Sequence, residues 1–471
     1  MLSRRHLLLV SALPLMMLSA CAGFSADGGM SGVRDSARLD ATEIAKLQSP
    51  QDAQAVQTRV DALLQEKLTL DAAVQIALLN NRTLQAAYNA LGIAEADRVA
   101  ARLPPNPVLS FARLAGGGEI EVETGIGTDL LALLTLPARG KAADLAFKAS
   151  QLEAAEATLA LAVQTRIAWT RAVSAREIAA EEATALEATR LAGRFTKSLV
   201  ESGALGRSDE AASRIALTES EVAYERARAD AEMQRERLIA LLGLWGPQAD
   251  TLKLPRSLGP LPKKTRDQAS LEQDAIASRL DLEQARLALQ RLDQSYGLTA
   301  ATRFIESAEG AALSKRVDTD DATHSHERGF DLTVSLPVFD FGGTRQRRAQ
   351  EEYLQAANLL AARAVDVRSE ARTAWTAYRS ALSIARKYRS GLVPQLGIVT
   401  EETLLSYNAM QVDVYALLAD VRRGTAARIA AKRAKADFWI ADANLAAVTR
   451  VQTNPTGPSG QEQPNEEQGH D

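Results

Sequence analysis

Apolar residues recur at helical spacing over most of this chain. Behind Thr69, whose hydroxyl suits a helix N-cap, Ala73, Ile76, Ala77, Leu84, Ala87 and Leu91 form one stripe. The stripe predicts a helix that stops near residue 103, since Pro104, Pro105 and Pro107 cannot continue it. A second, longer helical run covers 139–201 without a proline. At 1.5 Å per residue its roughly 60 residues extend about 90 Å, more than a compact globular domain needs. Gly203 and Gly206 break that run, and a return helix is predicted over 208–242. Trp245-Gly246-Pro247, Pro255, Pro260 and Pro262 then mark a linker. Beyond it the same order returns. A helix is predicted over 271–292 on Leu280, Leu282, Ala285 and Leu289, then a long helix over 344–407 perturbed at Gly391 and Pro394. A turn near Asn408 and a return helix to about 448 complete it.

A different period interrupts each half. Over 120–130, Ile120, Val122, Thr124, Ile126, Thr128 and Leu130 alternate with Glu121, Glu123, Gly125, Gly127 and Asp129. Strict alternation is the signature of a strand with one apolar and one polar face. A companion strand is predicted over 108–114, with Gly116-Gly117-Gly118 as the turn. No lysine or helix follows those glycines in the way a phosphate-binding loop requires. In the second half 330–336 alternates Phe330, Leu332, Val334 and Leu336 against Asp331, Thr333 and Ser335, and 298–305 reads as its partner strand.

The halves match residue by residue. Leu136-Pro137 corresponds to Leu336-Pro337, Ala168-Trp169-Thr170 to Ala374-Trp375-Thr376, and Gly203-Ala204 to Asn408-Ala409. The separations are 200, 206 and 205 residues. Nearly constant separations indicate one duplicated unit of helix, two strands, long helix, tip and return helix. Glycine and asparagine suit the left-handed backbone expected at each tip. The chain is thus read as a leader (1–20) and an extended lead with room for one short helix (21–67). A first repeat (68–245), a linker (246–266), a second repeat (267–450) and a disordered polar tail (451–471) follow.

Cys21 is the only cysteine. It follows Arg4-Arg5, an apolar stretch from Leu7 to Leu18, and Ser19-Ala20, the layout of a secretory signal peptide. The small residues before it look like a bacterial lipobox, which would make Cys21 the lipidated first residue of the mature protein; an ordinary signal peptide is the alternative. Ser3-Arg4-Arg5 resembles a twin-arginine signal. A net charge of −4, from 55 basic and 59 acidic residues, suggests no nucleic-acid partner. Aromatic residues make up only 4% of a chain rich in Ala, Leu, Arg, Glu and Gln, as expected of long helices. Beyond the leader no apolar stretch is long enough for a transmembrane helix, so a membrane crossing would have to be a closed β-barrel. Four strands cannot close one, because single-chain membrane barrels start at about eight. Several copies must share a barrel, and three would give twelve strands.

Lipobox, duplicated unit, paired strands entering long helices and glycine-containing tips together resemble the TolC-type outer membrane factor family, over about 68–448. The resemblance implies a mainly α protein with a small β part. Its long helical hairpins form a periplasmic α-barrel, and four strands per chain contribute to a trimeric, 12-stranded transmembrane β-barrel. It implies a homotrimer that takes substrates from a periplasmic membrane-fusion adaptor and an inner-membrane pump and conducts them passively to the exterior, without catalysis or a cofactor. Lipid anchoring in the outer membrane extends it to the family's lipidated branch.

On this reading Glu121, Glu123, Asp129 and Asp331 would line the barrel lumen and favour cations or neutral species. Equally, they are ordinary solvated positions on a β face. By resemblance, Gly203, Ala204, Leu205, Gly206, Arg207, Ser208, Asn408, Ala409 and Met410 would meet the adaptor. Asp413 and Asp420 are candidates for acidic rings at the closed end, although both also suit a solvent-facing coiled coil. Asp318, Asp320, Asp321, His324, His326 and Glu327 could bind Zn or Cu. A polar loop on the outer surface is preferred, because nothing fixes ligand geometry. The run Tyr407-Asn408-Ala409-Met410 with Tyr415-Ala416-Leu417-Leu418 resembles hairpin tips of family members tied to heavy-metal export. A periplasmic adaptor or a structural coiled-coil lipoprotein are the alternatives. The first needs compact β-domains around one hairpin, and the second has no use for period-two strands.

Overall fold

The computed structural model describes residues 23–38, 44–117, 119–319 and 324–452. The leader, the lipidation candidate Cys21, the acids Asp320 and Asp321, and the tail beyond 452 lie outside the described residues. Two compact units divide the chain. One comprises Met1–Arg38, Ala86–Ala155 and Leu280–Ala364; the other comprises Leu39–Gln85, Glu156–Arg279 and Val365–Asp471. Each draws on both halves of the repeat.

In the first unit four strands form an antiparallel meander in the order β1-β2-β3-β4: β1 (Val108–Gly116), β2 (Glu119–Asp129), β3 (Ser307–Thr319) and β4 (His324–Ser335). The central pair, β2 with β3, joins the two repeats. The expected strand over 298–305 is not formed, since helix continues to Ala301 and the strand begins at Ser307. Ser307–Thr319 is rich in Ala, Gly, Ser and charged residues and has little strand propensity of its own. Ladders on both sides, to β2 and β4, override it. Of the expected loop around 318–327, the described residues 318–319 and 324–327 are strand for the same reason.

The lead is not extended. Helices α1 (Met30–Ala37) and α2 (Pro50–Leu64) occupy it. In the first unit Met30, Val33 and Ala37 are buried, Ser25 donates from both its N–H and its hydroxyl to Glu95 Oε1 (2.6 and 2.5 Å), and the Gln151 amide donates to Gly29 O (3.1 Å). In the second unit α2 has a capping box, in which Ser49 and Asp52 each bond the other's backbone N–H.

The helix predicted from Thr69 to 103 is two helices, α3 (Leu70–Asn80), capped by Thr69 as expected, and α4 (Arg82–Arg102). Asn81 between them is extended (φ −68°, ψ 120°). Its amide donates to Leu241 O (2.9 Å) and its Oδ1 accepts the Leu84 N–H (3.0 Å), while the Asn80 amide reaches Leu242 O and Gly243 O (3.1 and 2.8 Å). These are terminal carbonyls of the return helix, which lack intrahelical donors.

After the sheet come α5 (Leu130–Glu201) and the return helix α6 (Arg207–Leu242). Helix α5 begins nine residues earlier than the proline rule suggests. Asp129 caps it by accepting the Ala132 N–H (2.8 Å), and Pro137 lies inside it rather than at a strand end. The linker is packed against the rest of its unit. It contains α7 (Pro247–Thr251), buries Leu252, Leu254, Leu258 and Leu261, and bonds Lys253 O to the Leu68 N–H (2.8 Å).

The second repeat reproduces the break. Helices α8 (Leu271–Ser278) and α9 (Leu280–Ala301) flank Arg279, again extended (φ −68°, ψ 128°). Its fully buried guanidinium pairs with Glu370 Oε2 (2.5 Å) and donates to Val448 O (3.4 Å) at the end of the second return helix. That helix is α12 (Val414–Ala447), preceded by α10 (Gly343–Lys387), a π-helical turn (Tyr388–Leu392) and α11 (Val393–Asn408). The π-turn falls where Gly391 and Pro394 predict a perturbation, because Pro394 has no N–H to continue the α-helical ladder. Tyr378 and Phe438, 5.6 Å between ring centroids, anchor the second repeat's core with Leu382 and Leu445.

Removing one partner of a buried pair leaves the other charge uncompensated. Arg279→Ala is therefore expected to destabilise the protein by on the order of 3 kcal/mol, read by denaturant unfolding against Arg235→Ala as a more exposed arginine control.

Candidate functional site

Residues directly opposite in a sheet share a face, so the register sorts the strands into two surfaces. One carries Leu109, Phe111, Val122, Ile126, Phe330, Leu332 and Val334. Phe111 and Phe330 on it are 70% and 85% exposed, a wide apolar surface turned outward from the chain. The opposite surface carries Glu119, Glu121, Glu123, Asp129, Glu309, Glu327 and Asp331, interspersed with Leu114, Leu313 and Val317, and one base, Lys315.

Of the sequence-predicted lumen residues, Glu121, Glu123, Asp129 and Asp331 thus fall on one face. Lys315 lies directly between Glu123 and Glu327 and pairs with Glu121. Asp331 accepts from the Thr333 hydroxyl (3.1 Å), and Asp129 also serves as the cap of α5. Glu309 and Lys315 were hidden from sequence reasoning because β3 lacks alternation.

His324 and His326 sit on β4, on the apolar face near the turn, rather than in a loop. His324 Nδ1 contacts Asp318 Oδ1 (2.6 Å). Among the described residues no group of three or more His, Cys, Asp or Glu is placed to hold a metal ion.

The hairpin tips share one backbone pattern. At the first, the Gly203 N–H donates to Val200 O and the Ala204 N–H to Leu199 O. At the second, Met410 donates to Tyr407 O and Gln411 to Ser406 O. The structural register is therefore 207 residues, two more than the Gly203/Asn408 match implies. Gly203 (φ 77°) corresponds to Met410 (φ 59°), and the helix-starting Gly206 to Asp413. Asn408 is the last residue of α11 and not the left-handed one. Gly203, Ala204, Gly206, Arg207, Ser208, Asn408, Ala409 and Met410 are exposed and Leu205 is half-buried.

The two gate candidates are engaged locally. Asp413 caps α12 by accepting the Ala416 N–H (2.8 Å), whereas Asp420 accepts from the Thr403 hydroxyl (2.6 Å) and tethers α12 to α11.

No family model and no curated protein matches the chain. Solved structures do. CusC, described in terms of transmembrane channel formation, is 16% identical over 82% of this chain and 93% of its own, with a TM-score of 0.68. A membrane protein from Pseudomonas aeruginosa is 19% identical over 83% and 94%, TM-score 0.68. The MtrE outer membrane channel of Neisseria gonorrhoeae, in its open state, is 17% identical over 81% and 88%, TM-score 0.66. The chain has the TolC-type outer membrane factor fold.

Within this outer membrane factor fold the second unit holds a charged cavity of about 660 Å³. Arg171, Asp230, Glu370, Arg433, Asp437 and Asn444 line it. Burial holds the Asp437 carboxyl above its ordinary range, opposed by Arg171 and Arg433. Sequence reasoning missed this cavity, because its lining comes from four helices at widely separated positions.

The tips offer a direct check. Left-handed backbone costs a non-glycine residue about 1 kcal/mol or more. Met410→Gly is expected to slow amide hydrogen exchange at the second tip about fivefold, and Gly203→Ala to speed it similarly at the first.

Proposed function

We propose that this protein is the outer membrane channel of a tripartite efflux system. It is a homotrimer that passively conducts substrate from a periplasmic membrane-fusion adaptor and an inner-membrane pump to the exterior, and it performs no catalysis. The observation that carries this reading is the two-faced sheet. Strands of 9–13 residues suit a tilted membrane crossing, and one face is apolar. Among the described residues both outer edges, β1 and β4, lack a further strand partner. Lipid tolerates no open edge, so β1 of one copy would pair with β4 of the next until a barrel closes. Three copies supply twelve strands. The likeness in fold to outer membrane channels such as MtrE supports the same reading.

Lipidation at Cys21 would anchor each subunit to the outer membrane. The exposed turns at Gly203–Ser208 and Asn408–Met410 are the proposed adaptor contacts. Asp413 and Asp420 are the proposed periplasmic gate, where three copies would bring like charges together around one axis.

The acidic face would line the lumen. Seven carboxylates against one lysine per described sheet favour cationic or neutral cargo over anions. Protein reconstituted in planar bilayers is expected to conduct and to prefer cations. Glu123→Gln with Asp331→Asn should lower the cation-to-anion permeability ratio about twofold or more, and Lys315→Gln should raise it. Absence of conductance from a correctly assembled trimer would remove the channel reading.

A further inference from the structure

The apolar face of the sheet is not apolar to its end. Across the strands, Leu109, Ile126, Ala312 and Phe330 form one row, and Phe111, Thr124, Ser314 and Arg328 the next. The row after that, one step closer to the turns, is Arg113, Val122, Arg316 and His326. Three arginines from three strands therefore cap the apolar surface on its own side, at the turn end. At the other end, beyond the start of β3 and the end of β4, the exposed large apolar residues are Phe304, Ile305, Leu336, Val338, Phe339 and Phe341, and the Arg303 guanidinium lies over the Phe304 ring (4.4 Å).

Within the strands, arginine is thus confined to the turn end of this face. Arg316 lies directly opposite His326 and diagonal to Arg328, which puts their backbones about 5 and 7 Å apart. Arg113 is two strands away, about 10 Å. Only one carboxylate of the described residues touches this row. Asp318 accepts from Arg316 Nε (2.9 Å) and meets His324 Nδ1 (2.6 Å). Arg113, His326 and Arg328 are exposed, and half of the Arg316 side chain is exposed.

We propose that Arg113, Arg316 and Arg328 form a collar that binds phosphate-bearing lipid headgroups of the leaflet nearest the turns. The occupant follows from complementarity on both counts. Acyl chains cover Phe111, Ile126 and Phe330, and a ligand anchored there carries its polar group to the height of the arginines. Guanidinium groups bind phosphate through paired, charge-assisted hydrogen bonds. The opposite face, crowded with carboxylates, would repel the same anion. The collar rests on the barrel reading above.

The test uses the detergent-purified full chain, with native mass spectrometry reporting oligomer mass and bound lipid together. The probes are diphosphorylated lipid A, its dephosphorylated form, and inorganic phosphate as competitor. The expected result is a trimer that retains the phosphorylated form at least tenfold more tightly than the dephosphorylated one. The triple variant Arg113→Gln, Arg316→Gln, Arg328→Gln should lose that preference while keeping the trimer mass, and Arg316→Lys should retain most of it. Equal retention of the two lipid forms, an undiminished preference in the triple variant, or inorganic phosphate bound as tightly as the lipid overturns the collar and leaves the barrel standing. Failure of the wild-type chain to form a trimer overturns both.

Discussion

The free edges of a four-stranded sheet govern everything else in this protein. Strands β1 and β4 each present an outer row of backbone N–H and C=O groups that no other strand among the described residues satisfies. In water such edges invite aggregation, and in hydrocarbon each unmet group costs several kcal/mol. The apolar surface beside them adds to the problem, because Phe111 and Phe330 are left largely exposed. Assembly of several copies into the proposed closed barrel would resolve both at once. On that reading trimerisation answers a need of the backbone before it serves function.

The helical part solves a smaller version of the same problem within the chain. A return helix ends in carbonyls without donors, and each repeat answers with a residue in extended backbone that breaks the neighbouring helix and turns its side chain onto those carbonyls. Asn81 does so for Leu241, and Arg279 for Val448, with Glu370 balancing the charge. Different residues perform one task in the two halves, a divergence that fits duplication. The tips diverge likewise, glycine holding the left-handed position in one half and methionine in the other.

Much of this was legible in the sequence, for physical reasons. Period-two alternation over 120–130 is legible because one face of β2 is apolar and the other polar, and Pro104 and Pro105 end α4 where stereochemistry requires, although Pro137 is accommodated inside α5. The π-turn at 388–392 was signalled by Gly391 and Pro394. Strand β3 was illegible, because its Ala-, Gly- and Lys-containing sequence takes its conformation from neighbours on both sides. The breaks at Asn81 and Arg279 were equally hidden. Their cause lies some 160 residues away in sequence, at a helix end that only the fold brings near. The second tip shows how a short motif misleads, since Asn408-Ala409 mimics Gly203-Ala204 although the backbone register places Met410 there. As for the site, the acidic face was half readable from β2 and β4, but Lys315 and Glu309 and the arginine row came into view only with the register of β3.

The sheet is accordingly polarised in charge as well as hydropathy, with carboxylates on one face and arginines at the margin of the other. The proposed lumen, gate and arginine collar all require several copies to share that sheet. The most direct measurement is the native mass of the detergent-extracted protein, taken separately from inner and outer membranes. A barrel shared by three copies gives three times the mass of one chain, in the outer-membrane fraction. A monomer, or protein confined to the inner membrane, would contradict it.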